Sequence, residues 1–264
     1  MCGIAAILLC PQERPEETWQ AIRGLFTRNL VNNEARGRAA TGLAVVQLDG
    51  QLGLAKKALP ASRFTETEEY RALLETVSSR TTLVLGHTRQ PTKGDPACDE
   101  NNHPILAGPV LGVHNGHITN DDALFACRLY PRSGEVDSEV IFRLLAEVRP
   151  TADAEGYLTS VRSQLEPLEG QLTFLACDRR APTRLIAARD DNPLCLHYHV
   201  AWNALIFSSQ YVFLRMAFGQ SLLAETLGYG QLLLFDASTL FRRRAEPQAA
   251  LRLLRVGDAA DAAR

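Results

Sequence analysis

The chain has 264 residues, of which 46% are apolar, with 28 Lys and Arg against 30 Asp and Glu. This length allows one large domain or two small ones with a substantial core, and the net charge of −2 excludes a general electrostatic attraction to nucleic acid or to anionic membranes. The six cysteines form no C-x-x-C pair and no metal-ligand spacing with the histidines. We therefore expect no metal site and a reducing, cytoplasmic setting.

The first third of the chain is predicted to mix strands and helices. The apolar run from Gly3 to Leu9 predicts a strand buried on both faces, and it is too short to span a bilayer. Apolar residues at spacings of three and four predict an amphipathic helix over Glu16 to Asn33. The dipeptide Asp49-Gly50 between two strand-like runs indicates a hairpin. A helix over 67–77 and a strand over 82–86 are expected next.

The rest of the chain is predicted to place helices in the middle and strands at the end. Residues 87–94 and 95–104 have loop composition and precede a short strand over 111–113. Helices are expected over 120–129 and 137–148, each with an Asn or Asp cap, and over 155–165. Further strands are expected over 171–177, 183–188, 194–199, 204–208, 232–236 and 239–242, with a short helix from Tyr211. This order predicts one α+β domain in which helices cover two packed sheets.

The start Met1-Cys2-Gly3 has a special chemical property if Met1 is removed. A thiol with an ordinary pKa of about 8.5 then lies on the same Cα as an α-amine with a pKa of about 7.7–8.0. The neutral amine is able to accept the thiol proton, so Cys2 becomes a nucleophile with its own base. The alternative is an ordinary buried thiol after the initiator methionine.

Four separated segments decide between these interpretations. Cys2-Gly3-Ile4, Gly86-His87-Thr88-Arg89, Asn102-His103-Pro104 and His114-Asn115-Gly116 occur in this order. Together they resemble the class II glutamine amidotransferases, and most closely the glutaminase part of the glucosamine-6-phosphate synthase type. The resemblance continues through Val136 to Ile141, Leu185 to Asp190 and Ile206 to Ser209.

This resemblance implies a fold and a domain organisation. The expected fold is the N-terminal-nucleophile hydrolase fold, a four-layer αββα sandwich of two mainly antiparallel sheets. Because the likeness reaches about Leu240, we expect residues 1–240 to form the glutaminase domain, without Met1. Residues 241–264 would be a tail that is no acceptor domain, in which Leu251, Leu253 and Leu254 are candidates for a helix.

The resemblance also implies residues that bind glutamine. Arg89 would hold the α-carboxylate, for which its planar guanidinium is suited, although an Arg after a strand is by itself more typical of a surface ion pair. Asp137 would receive the α-ammonium, and it could also cap the following helix. Thr92 and His114 are expected at the substrate as well.

Asn115 and Gly116 would form the oxyanion hole, with Cys2 as the nucleophile. The Asn115 amide and the Gly116 backbone N–H are donors of the kind that stabilise a tetrahedral oxyanion. The alternative is a plain Asn-Gly turn. Because the amine supplies the base, we expect His87, His103 and His114 to be structural, and direct proton transfer by one of them to be the less favoured role.

Two departures from the family pattern occur. The segment Gln90-Pro91-Thr92-Lys93-Gly94 lacks the aromatic residue and the histidine of the loop that folds over glutamine in the family. Ala39 stands where the family has an aspartate, so a buried hydrogen-bonding network near the nucleophile must be rearranged or missing.

We expect an enzyme that hydrolyses glutamine to glutamate and ammonia through a Cys2 γ-glutamyl thioester, without metal or organic cofactor. The first hypothesis is the ammonia-supplying subunit of a two-chain amidotransferase, with a separate synthase as partner and no nucleic acid or membrane involved. The second is a free-standing hydrolase of a γ-glutamyl or related amide. The third is a non-catalytic descendant that binds a ligand or a partner.

Overall fold

Two antiparallel sheets pack face to face in the structure, a computed structural model that describes residues 1–253. The strands in this range are β1 (Gly3–Leu9), β2 (Ala40–Gln47), β3 (Leu52–Lys57), β4 (Thr81–Arg89), β5 (Ile105–Ala107), β6 (Val110–Asn115), β7 (Thr173–Asp178), β8 (Arg184–Arg189), β9 (Cys195–His199), β10 (Ala204–Ser208), β11 (Glu225–Thr226), β12 (Gln231–Asp236) and β13 (Ala249–Arg252). The first sheet has the order β11-β9-β10-β1-β4-β2-β3, and the second has the order β13-β12-β8-β7-β6-β5.

Helices cover the outer face of each sheet. They are α1 (Glu16–Asn33), α2 (Ala61–Phe64), α3 (Glu68–Glu75), α4 (Asp121–Arg128), α5 (Glu139–Glu147), α6 (Ala154–Leu165), α7 (Tyr211–Phe218) and α8 (Leu240–Arg243). The helices α1, α2, α3 and α7 pack on the first sheet, and α4, α5 and α6 pack on the second. None of the helices in the described range is long and apolar enough to cross a bilayer.

Strand β1 shows why the sequence builds four layers. Alternate side chains of a strand point to opposite faces. Ile4, Ala6 and Leu8 therefore enter the core between the two sheets. Ala5, Ile7 and Leu9 instead pack against the helices outside the first sheet. Both faces are covered, which explains the uninterrupted apolar run and confirms the predicted four-layer αββα sandwich.

Strand β4 is longer than the sequence pattern predicts. Strand β4 continues to Arg89 instead of stopping at Gly86, because Gly3 and Ile4 of β1 pair with Thr88 and His87. The polar composition of residues 87–89 was therefore misleading, since these side chains are buried at the end of a central strand. The extension fixes Arg89 to the sheet instead of leaving it on a loop.

Three expectations were wrong. Asp137 does not cap helix α5: Ser138 occupies the N-cap position without a side-chain capping hydrogen bond, and the Asp137 carboxylate bonds to Ile118 instead. No strand forms over 239–242, because the Asp236 carboxylate accepts the Ser238 N–H and begins a helical turn that leads into α8. Ala249–Arg252 is the edge strand β13, so Leu251 is not helical; Leu253 follows the strand outside any helix. Leu254 lies outside the described residues.

Candidate active site

Cys2 lies at the beginning of β1, between the ends of β4 and β10. Gly3 pairs with Thr88 of β4, and a Cβ atom on Gly3 would lie 2.6 Å from the Thr88 hydroxyl oxygen. The glycine after Cys2 therefore allows the two strands to approach. The Cys2 Sγ atom lies 3.3 Å from the Gln90 backbone nitrogen and 3.4 Å from the Gln90 carbonyl oxygen.

The environment of the thiol favours its protonated form. Burial raises the pKa of Cys2, and the Gln90 N–H, the chain N-terminus, Arg89 and Arg36 oppose this rise only in part. A nucleophilic thiolate at this position therefore needs a nearby base to take its proton. In the described chain the Cys2 nitrogen is joined to Met1, which is 74% exposed.

One cavity collects six of the seven predicted site residues. Its wall includes Cys2, Arg89, Thr92, His114, Gly116 and Asp137. Asn115 is not on the wall, but it is buried directly beside its neighbours His114 and Gly116. The cavity volume is about 10 Å³, which is close to the space of one water molecule. A ligand as large as an amino acid would therefore require the wall to move.

Arg89 is a buried cation whose present partners are not carboxylates. Its guanidinium donates to the Asn102 side-chain oxygen at 2.8 Å and to the carbonyls of Lys93 and Gly94. The side chain is 4% exposed, which rules out a plain surface ion pair. Within residues 1–253 no carboxylate pairs with it. The group is thus suited to a carboxylate that arrives with a ligand.

Asp137 is a buried anion on the same cavity. One carboxylate oxygen, Oδ2, accepts the Ile118 N–H at 2.6 Å and lies 3.4 Å from Nδ1 of the half-exposed His117. The other oxygen has no hydrogen bond within the described part of the chain. Arg89 and Asp137 therefore present opposite charges to one small space, as a zwitterionic amino acid requires.

Gly116 occupies a backbone position that only glycine fits. Its φ angle is +151°, and a Cβ atom there would lie 2.2 Å from the Gln171 carbonyl oxygen. The side chain of the preceding Asn115 forms hydrogen bonds to His87 and Ser209. The Asn-Gly pair continues from strand β6 at the edge of the cavity, so it is not a hairpin turn.

The three histidines are buried next to one another. His114 forms hydrogen bonds to the Ser138 hydroxyl and the Gln171 carbonyl. The His87 and His103 rings stack with centroids 4.3 Å apart. Burial lowers the pKa of His87 to about 3 and lowers that of His103 well below its ordinary value. His103 and His114 line the cavity, and His87 lies behind it.

A much larger cavity has a different location. It has a volume of about 810 Å³ and lies between β9 and residues 218–225, with Arg244 and Ala245 at its edge. It contains none of the predicted site residues. The candidate site is therefore identified by its charged and nucleophilic side chains and not by the volume of its cavity.

Comparison with known proteins now adds independent information. Residues 94–216 match a family model described as a glutamine amidotransferase domain. A glutamine–fructose-6-phosphate aminotransferase of Corynebacterium efficiens is 35% identical over 202 residues, which are 74% of this chain and 31% of that protein. The corresponding Vibrio cholerae protein is 30% identical over 209 residues.

The chain contains a glutamine amidotransferase domain. It spans about a third of the length of these relatives, 31% in both cases. A glutamine phosphoribosylpyrophosphate amidotransferase from B. subtilis has the same fold, with a TM-score of 0.65 and 19% identity over 96% of this chain and 49% of that one. The family model and the two aminotransferases confirm the predicted resemblance to the glutamine amidotransferases.

The loop of residues 90–101, which we call the cover loop, contributes Gln90, Thr92 and Lys93 to the wall of the cavity beside Cys2, which we call the amidotransferase cavity. Lys93 takes the position at which the family has histidine, and its ammonium lies 2.7 Å from Asp121 and 2.9 Å from Asp122. Arg132 pairs with the same two aspartates. Lys93 therefore attaches the altered loop to the start of α4, at two aspartates that also pair with Arg132 from outside the loop.

Three residues near the nucleophile had no role assigned from the sequence. Arg36 donates to the Cys2 carbonyl oxygen at 2.5 Å and to the Asn192 side chain at 3.3 Å. The Ser209 hydroxyl contacts Asn115. Arg36 and Ser209 lie in segments that resemble the family, so the sequence offered a reason to consider them as site residues. Asn192 lies outside those segments, and nothing in the sequence pointed to it.

Proposed function

We propose that this chain is a glutaminase unit that hydrolyses glutamine to glutamate and ammonia through a γ-glutamyl thioester on Cys2. The observation that carries the proposal is the meeting of Cys2, Arg89 and Asp137 on one cavity wall. The thiol has a carboxylate-binding cation and an ammonium-binding anion beside it. These are the groups that distinguish glutamine from other primary amides.

Binding is proposed to begin with the two charged ends of glutamine. The α-carboxylate replaces the Lys93 and Gly94 carbonyls at the Arg89 guanidinium, and the α-ammonium approaches the unbonded oxygen of Asp137. This pairing orients the side-chain amide toward Cys2. The cover loop must open to admit the substrate and then close again to exclude water.

The chemical steps follow from the position of the thiol at the chain terminus. Removal of Met1 frees the Cys2 amine, which takes the thiol proton while the sulfur bonds to Cδ of glutamine. The oxyanion is stabilised by the Asn115 amide and the Gly116 N–H. The C–N bond then breaks, and ammonia leaves with the proton held by the amine. Water attacks the thioester, releasing glutamate and restoring the thiol.

The destination of the ammonia is a further part of the proposal. The named relatives are aminotransferases that act on glutamine and fructose-6-phosphate, and they are about three times as long as the matched segment. We infer that ammonia passes to an acceptor enzyme that lies outside these 264 residues. A protein that stimulates glutamine turnover on addition would identify this acceptor. Turnover of other γ-glutamyl amides in preference to glutamine would favour the free-standing hydrolase.

The test is glutamate release from glutamine by the purified protein and by Cys2→Ala. The wild type should turn over glutamine, and Cys2→Ala should be inactive. Cys127→Ala is the matched control, because Cys127 is an exposed free thiol on α4 and is not part of the cavity wall. Activity of Cys2→Ala equal to that of the wild type would refute the proposal, as would a wild type that hydrolyses neither glutamine nor any γ-glutamyl amide.

A further inference from the structure

The side chain of Asn115 has a fixed orientation that can be assigned from its neighbours. His87 Nε2 lies 3.1 Å from the His114 carbonyl oxygen and 3.2 Å from the Asn115 side-chain oxygen. A carbonyl oxygen only accepts hydrogen bonds, so Nε2 must carry the hydrogen. The Asn115 atom that faces it is therefore the oxygen, and the NH₂ group points to Ser209.

Ser209 joins this amide to the strand of the nucleophile. Its hydroxyl oxygen accepts the Ile4 N–H at 2.7 Å and one N–H of Asn115 at 3.1 Å. Ile4 is two residues after Cys2 on β1, whereas Asn115 ends β6 in the other sheet. A single buried oxygen thus connects the nucleophile's strand in one sheet with the oxyanion donor in the other.

Arg36 and Asn192 form a second connection, which runs between the backbone carbonyls of Cys2 and Asn115. Arg36 donates to the Cys2 carbonyl and to the Asn192 side-chain oxygen, and the Asn192 amide donates to the Asn115 carbonyl at 3.3 Å. Asn115 is therefore bonded at its side chain and its backbone to groups that also bond to β1. Such double attachment restricts the separation of Asn115 from the sulfur.

We propose that Ser209 is a positioning residue of the amidotransferase: it holds the Asn115 amide so that the N–H not bonded to Ser209 is available to the oxyanion formed at Cys2. The inference rests on the proposed function. Ser209 does not touch the substrate. It acts through Asn115, and its loss should lower the rate of the chemical step while leaving glutamine binding largely unchanged.

The experiment compares Ser209→Ala with Ser208→Ala. Both serines are fully buried at the end of β10, but the Ser208 hydroxyl bonds to Asn33 of α1 and not to Asn115. Removing one oxyanion donor typically costs about 10²–10³ in kcat. We expect Ser209→Ala to lose on the order of 10-fold or more in kcat with KM within about 3-fold. Ser208→Ala should change kcat by less than about 3-fold.

Two further measurements separate positioning from general damage. In an Asn115→Ala background, Ser209→Ala should cost less than about 2-fold in kcat, because its effect runs through Asn115. Alkylation of Cys2 by iodoacetamide forms no oxyanion on a carbonyl carbon, so its rate should be the same in Ser209→Ala and in the wild type. If Ser209→Ala does not fold, Ser209→Cys keeps the volume, weakens both hydrogen bonds and takes its place in the cycle.

The outcomes distinguish this inference from the proposed function. A wild type without glutaminase activity would overturn both. An active wild type in which Ser209→Ala behaves like Ser208→Ala, or in which the Ser209 and Asn115 effects multiply independently, would overturn the positioning role alone. A KM increase without loss of kcat would also overturn it, because that result places Ser209 in substrate binding.

Discussion

The two sides of the amidotransferase cavity are held by different forces. On the nucleophile side, Ile4, Asn115 and Ser209 are joined by hydrogen bonds that are buried between the sheets. On the cover-loop side, Lys93 is 30% exposed and pairs with Asp121, which is 4% exposed, and with Asp122, which is 71% exposed. Leaving a buried hydrogen-bonding group unpaired costs about 1–3 kcal/mol, whereas an exposed pair such as Lys93–Asp122 contributes about 0–1 kcal/mol. The reacting groups are thus fixed, and access to them is adjustable.

Arg89 lies where the two sides meet, so changing it should have the largest effect. Arg89→Lys keeps the charge but loses the planar fork, which donates to the Lys93 and Gly94 carbonyls of the loop and, under the proposed function, to the substrate carboxylate. We expect kcat/KM for glutamine to fall on the order of 10- to 100-fold, from the loss of about 1.5–3 kcal/mol of charge-assisted bonding. Arg38→Lys, on an exposed side chain, is the control. Equal kinetics for the two variants would place the carboxylate elsewhere.

Substitution of Asp137 tests whether this carboxylate binds the α-ammonium of the substrate. Asp137→Asn retains an oxygen for the Ile118 N–H but loses the charge. We expect kcat/KM for glutamine to fall about 10-fold, the equivalent of about 1.4 kcal/mol. Glutaramate, the analogue without an amine, should be turned over equally by both proteins. A uniform loss for glutamine and glutaramate would contradict ammonium recognition and indicate damage to the fold.

The buried His87 on the nucleophile side should make the stability of the fold sensitive to acid. Its pKa is about 3 in the folded protein, below the ordinary value of about 6.5. Between these values the unfolded chain binds a proton that the folded chain does not, so stability is lost as pH falls below about 6.5. From pH 7 to 5.5, wild type should lose about 1 kcal/mol more than His87→Gln in urea unfolding. Parallel losses would show that His87 titrates normally.

Lys93 should give the smallest effect, confined to the cover loop. Lys93→Gln leaves Arg132 on the two aspartates, so we expect less than about 1 kcal/mol of loop destabilisation. Amide hydrogen exchange over residues 90–98 should become faster by less than about 5-fold, while exchange in β1 stays unchanged. Lys57→Gln, which breaks another exposed pair, should leave loop exchange unaltered. Protection that does not change would show that Lys93 does not hold the loop.

Much of the fold follows from local patterns. The spacing of Trp19, Ile22, Phe26 and Leu30 predicts α1 with its observed bounds, because all four side chains enter one core. The apolar run of β1 predicts a two-sided strand for the same reason. Local chemistry was less informative at Asp236, whose carboxylate starts a turn that the apolar pattern of residues 239–242 does not reveal.

The assembly of the site depends on contacts between distant segments. Ser209 is 205 residues from Ile4 and 94 from Asn115, so no local pattern predicts that its hydroxyl joins them. The same is true of Arg36 and Asn192, which are separated by 156 residues. The family motifs indicated which residues to consider, and the pairing of β1 with β4 and β10 supplied their arrangement.

The most direct test of the account is mass spectrometry of protein quenched in acid during glutamine turnover. The account predicts a γ-glutamyl group bonded to the sulfur of Cys2 in a chain whose N-terminal residue is Cys2. The adduct should be absent from Cys2→Ala and should disappear when glutamine is exhausted. Glutamate release by a chain that retains Met1, or an acyl group found only on another residue, would contradict the central claim.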